Sequence, residues 1–198
     1  MSKNRLEAFS DAVIAIFITI MVLDFKVPQG SGFAALRPLL PVFLNYTLSF
    51  VFLGIYWNNH HHLLQAARRI NGRILWANLH LLFWLSLVPF VTNWMGESHG
   101  ASSPTAAYGL VLLAAAVAFT ILVRAMVGHE GEDSTLGRAV GGDRKGKISL
   151  LLYAAAIPLA FVRPWIAHLL YVAVALIWLA PDPRIERRIE SSGSAGEA

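Results

Sequence analysis

The sequence predicts an all-α integral membrane protein of six transmembrane helices, and three observations carry that reading. Of its 198 residues, 56% are hydrophobic and only 14% charged, with a mean hydropathy of +0.56, well to the apolar side of a water-soluble domain. Apolar runs near the roughly 20 residues that cross about 30 Å of hydrocarbon recur along the chain, bounded by charge, Gly or Pro. The basic residues sort to one side of those runs. A formal charge of +4 would suggest nucleic acid in a soluble protein; here the placement of Lys and Arg matters more than their sum, and the expected partner is the lipid bilayer, with no nucleic acid. Cysteine is absent, which excludes disulfides, thiolate metal sites and cysteine nucleophiles.

The first span covers residues 6–25. Its basic head and apolar run look like a secretory signal, but Glu7 and Asp11 interrupt the run and no small-residue cleavage site follows Val22 and Leu23, so it is read as a retained helix. The second span, 39–64, ends in Asn58, Asn59, His60, His61 and His62. The third covers 74–95 and the fourth 105–127, where Arg124 lies close enough to the end to snorkel to the interface. The last two, 148–162 and 165–179, are short and separated by Arg163 and Pro164. Helices of that length rise only about 22 Å, so the pair forms either two thin spans extended by flanking residues or a re-entrant hairpin. Either way the chain returns to the side it left. Residues 128–147 read as a cytoplasmic linker and 182–198 as a polar cytoplasmic tail.

The charges between spans test this layout. Lys3, Arg5, Arg68, Arg69, Arg73, Arg124, Arg138, Arg144, Lys145, Lys147, Arg184, Arg187 and Arg188 fall on one side, which is thirteen of the sixteen basic residues. Only Lys26, Arg37 and Arg163 fall on the other. Because cytoplasmic loops accumulate Lys and Arg, both termini are expected in the cytoplasm. The tryptophans lie mostly near span ends, where indoles favour the interface.

Polar residues inside the first span are the most informative. A carboxylate in hydrocarbon costs several kcal/mol unless paired or wetted, so Asp11 must face protein or water, or sit at the interface near the helix end. Beyond it, Ile16, Ile20 and Leu23 lie at i, i+4 and i+7 and form one stripe, with Val13 extending it inward and Thr19 flanking it. Periodicity alone leaves that stripe open between a packing face and a pore lining. His60, His61 and His62 point about 100° apart and cannot all reach one ion, so neither a metal site nor a cofactor is expected.

Arg5, Phe9, Ser10 and Asp11, followed by AVIAIFITIMVL, resemble the signature of the bacterial branch of the transmembrane protein 175 potassium channels. A second block, YWNNHHHLLQAARRINGRILWANLHLLFWLSLVPF, extends the resemblance through Tyr56, Trp57, His60, His61, Asn78 and Pro89. Together they cover about the first half of the chain. The resemblance implies a potassium-selective cation channel, not an enzyme, in a bacterial plasma membrane: a homotetramer of six-helix protomers with the first helix of each around a central axis. On that reading Ile16 forms the narrowest ring, Ile20 and Leu23 form further apolar rings, and Thr19 supplies a hydroxyl layer that favours potassium. The TVGYG filter of other potassium channels is absent. The resemblance also implies a network of Arg5, Phe9, Ser10, Asp11, Trp57, His61, Asn78 and His80 that anchors the first helix. The rival class is a proton-coupled secondary transporter using Asp11 and the histidines of the second and third helices. Against it, the two halves show no internal repeat.

Overall fold

The computed structural model describes residues 2–67, 69–131, 134, 137 and 143–179. The expected polar tail at 182–198 lies outside the described residues, as do Arg68, Arg138, Arg184, Arg187 and Arg188.

The chain is an all-helical membrane protein. Among the described residues five segments are long and apolar enough to cross a membrane, and a sixth, Pro164–Leu179, is shorter at 16 residues. Helix α1 (Lys3–Ile20) tightens into a 3-10 turn over Met21–Asp24. A 3-10 segment, Phe33–Leu39, leads into α2 (Leu40–Ala66), with a proline in its first turn where the missing N–H has no helical partner to lose.

The third span is broken into α3 (Gly72–Ser86) and α4 (Val88–Glu97) at Leu87. Pro89 supplies the reason: it has no N–H for the carbonyl of Leu85 and its ring crowds that turn, so the ladder is interrupted while both halves continue along one span. Helix α5 covers Ser102–Glu130. Helix α6 (Arg144–Val162) starts at Arg144 rather than at residue 148, because Asp143 caps it by accepting the Gly146 N–H at 2.7 Å. Its 19 residues rise about 28 Å, close to the hydrocarbon thickness. Arg163 is extended, as the residue before a proline must be, and Pro164 opens α7 (Pro164–Leu179).

The buried core runs through the whole bundle, and within it α5, α6 and α7 form one block that holds Ala115, Ala118, Ala156, Ala160 and Ala167, all fully buried. Tyr171 donates its hydroxyl hydrogen to the Thr105 carbonyl at 2.9 Å. It runs so close to Gly109 that any Cβ there would collide with the phenol. Ser49 on α2 joins Thr92 on α4 at 2.7 Å and Tyr108 on α5 at 2.9 Å, which ties the kinked span to the core. Helix α1 packs outside this block, against α2, α3 and α4.

Candidate functional site

Helix α1 has two unlike faces. Leu6, Ser10, Ile14, Phe17 and Met21 recur every three or four residues and are buried against the bundle. Phe9, Ala12, Ile16, Thr19, Ile20 and Leu23 recur at the same period and are exposed, with Ile16 at 54% and Leu23 at 79%. Ile16 and Ile20 therefore lie on the uncovered face of α1 with Thr19 beside them, and Leu23 follows, exposed, in the 3-10 turn. Val13 does not extend it: this side chain packs against the core, since three residues carry it 60° short of a full turn from Ile16. The Thr19 hydroxyl lies 3.0 Å from both the Ala15 and Ile16 carbonyls. Its hydrogen is thus turned back onto the helix, leaving the oxygen lone pairs outward.

Polar contacts hold the buried face at the end of the bundle where α1 begins. Lys3 donates to the Gln65 and Ala67 carbonyls, both at 3.1 Å, and so puts a positive charge on the C-terminus of α2. Deeper in, Ser10 donates to the Leu6 carbonyl at 2.9 Å and accepts from the Asn78 amide at 3.0 Å. The Asn78 carbonyl oxygen lies 2.6 Å from His60 Nε2, which must then carry the hydrogen. Ser10, Asn78 and His60 are each fully buried, so this chain crosses α1, α3 and α2 out of reach of solvent. Nearer the surface Trp57 donates its indole N–H to Asp11 Oδ1 at 3.1 Å. Trp57 also stacks on His61, whose Nδ1 lies 3.1 Å from Glu7 Oε1.

Of the residues expected in the anchoring network, Ser10, Asp11, Trp57, His61 and Asn78 are brought together by these contacts. Arg5 is exposed and makes no hydrogen bond or ion pair among the described residues, and Phe9 lies on the uncovered face. His80 points away from α1 and accepts from Trp84 at 2.9 Å along its own helix. Two residues outside the expected network belong to it, Glu7 and His60. His60 was findable: Phe52, Tyr56, His60 and Leu64 fall every fourth residue on the buried stripe of α2. Glu7 was findable as the carboxylate one turn before Asp11.

These features define a class, an all-helical membrane protein in which one helix is pinned by polar bonds on one face and left bare and mostly apolar on the other. The family described as endosomal/lysosomal potassium channel TMEM175 matches residues 5–89, the segment that holds both faces. A potassium channel of Chryseobacterium sp. (strain P1-3) is 54% identical across 97% of this chain and all of its own length. A crystal structure of a lysosomal potassium-selective channel TMEM175 homolog from Chamaesiphon minutus superposes with a TM-score of 0.78 at 28% identity, covering 89% of this chain and 96% of that one. The endosomal/lysosomal proton channel TMEM175 of Bos taurus is 29% identical over 90% of this chain, which spans 43% of that protein's length. The chain belongs to the TMEM175 family, and so to a family of ion channels rather than of enzymes.

Proposed function

We propose that this chain is the protomer of a homotetrameric, potassium-selective cation channel in a bacterial plasma membrane, with both termini cytoplasmic and the bare face of α1 lining the pore. The observation that carries the reading is that face: Ile16, Thr19, Ile20 and Leu23 are uncovered while the opposite side of the same helix is fixed by buried polar bonds. The names of the Chryseobacterium and Chamaesiphon relatives support potassium as the permeant ion. The one-sided placement of basic residues supports the orientation.

Four Ile16 side chains around an axis offer no ligands, so a passing ion must either keep its water or lose it, and a narrow apolar neck gates by dewetting. Potassium sheds water more readily than sodium, which biases such a neck towards the larger ion. Thr19, with its lone pairs outward, replaces part of the lost hydration one turn further on. Ile20 and Leu23 continue the apolar lining.

A second reading, a proton-coupled transporter, draws on the buried His60–Asn78–Ser10 chain, where His60 Nδ1 has no hydrogen-bond partner, and on the proton-channel name of the cattle relative. Flux from potassium-loaded liposomes separates the two. The channel passes potassium passively down its gradient and in preference to sodium, whereas a transporter moves it only with protons. Ile16→Asn wets the neck and raises flux by about tenfold, the factor that ~1.4 kcal/mol off a barrier provides. Unchanged flux and selectivity in that variant would place the pore elsewhere.

A further inference from the structure

We infer that Glu7, Asp11 and His61 form a binding site for a divalent transition-metal cation of the zinc class, which clamps α1 to α2. The two carboxylates sit one turn apart on α1 and the imidazole faces them from α2, so that one ligand atom from each lies within 4.8 Å of the others. Two ligands of a tetrahedral zinc at about 2.0–2.1 Å are roughly 3.3 Å apart. His61 Nδ1 and Glu7 Oε1 already stand at 3.1 Å, and an Asp11 carboxylate oxygen is the third corner, within 4.8 Å of the other two.

Three further features suit the site to a metal rather than to a simple ion pair. His61 Nδ1 is shielded from solvent and has no hydrogen-bond partner: it is near the Glu7 carboxylate without a bond directed at it. The other ring nitrogen, Nε2, lies 2.8 Å from the Gln65 amide. It is the amide nitrogen that faces the ring; turned over, the same amide would present its carbonyl to the Nε2–H of a metal-bound imidazole, the usual outer support of such a ligand. Trp57 braces both partners, stacking on His61 and donating to Asp11 Oδ1, which leaves the second carboxylate oxygen for the ion. One nitrogen and two carboxylate oxygens, with a position left for water, match zinc, cobalt or manganese. Calcium would want six or more oxygens, and magnesium a near-ideal octahedron of them. Glu7 and His61 side chains are 20% and 31% exposed, which leaves an entry path. The site is independent of which ion the protein conducts.

The test uses the purified, chelator-stripped full-length protein, titrated with zinc chloride against a colorimetric chelator while its melting temperature is followed. Wild type is expected to take up one zinc per protomer saturably and to melt higher with zinc than without. Glu7→Gln, which keeps the shape of the side chain, and His61→Ala are expected to weaken uptake at least tenfold and abolish the shift. His62→Ala, an exposed neighbour, is expected to leave both intact. Cobalt(II) provides a readout that needs no variant, through visible absorbance bands of a low-coordinate N/O site. Equal zinc uptake by wild type, Glu7→Gln and His61→Ala would overturn the proposal, as would the lack of saturable uptake by wild type.

Discussion

Where α1 meets α2 and α3, apolar Leu6, Ile14 and Phe17 are joined by a series of directional bonds running from Lys3 through Glu7, Ser10 and Asp11 to Trp57, His60, His61 and Asn78. Where α5, α6 and α7 meet, buried alanines lie among larger apolar side chains and tyrosines, with few directional bonds: Tyr171 to the Thr105 carbonyl beside Gly109, and Trp178 to Ser149. The difference follows from what each region must do in lipid. Between wholly buried helices, close fit of small residues suffices, because lipid tails give no hydrophobic drive and backbones that approach gain dispersion. A helix that leaves one face bare has lost half its packing partners. Its rotation and height must be set by bonds that work at one geometry only, and those bonds gather on α1.

Substitutions that break one region should therefore differ in kind from those that break the other. The largest expected effect is on stability: Gly109→Leu forces Tyr171 from its place, combining overpacking of ~1–3 kcal/mol with about 1 kcal/mol for its lost bond to Thr105. Thermal melting in detergent measures it, and flux per folded protein should hold its potassium preference. Asn78→Ala is expected to cost less stability, about 0.6–1.7 kcal/mol for an interhelical polar contact in a membrane. It should nonetheless alter flux, since Ser10 and His60 lose their shared partner and α1 can turn. If Asn78→Ala conducts as wild type does while Gly109→Leu changes ion preference, the division between scaffold and positioned helix is wrong.

Hydropathy and the spacing of Gly, Pro and charge were enough to find the helices, because a bilayer leaves few other ways to satisfy a backbone. The break at Leu87 was hidden by the continuous apolarity of residues 74–95, although Pro89 marked it. The early start of α6 was hidden because Arg144, Lys145 and Lys147 look like loop, while Asp143 supplies the cap that lets them be helical. At the site, the bare stripe of α1 was visible as a periodicity, and the signature at Phe9, Ser10 and Asp11 drew attention to the right end. Which partner each polar group takes depends on helix rotation, which hydropathy does not report. Thus His80, two residues past Asn78, faces away, and Val13, three residues before Ile16, is turned into the core.

The chain has no cysteine, so a single introduced thiol reports on one position alone. The most direct measurement is block of liposome potassium flux by a charged methanethiosulfonate in Leu23→Cys and Ile16→Cys, with Leu110→Cys, exposed on α5, as the control. If the bare face of α1 lines the pore, modification lowers flux at Leu23 and Ile16 and leaves the Leu110 variant unchanged. Flux that survives modification at both Leu23 and Ile16, or falls equally at Leu110, would contradict it.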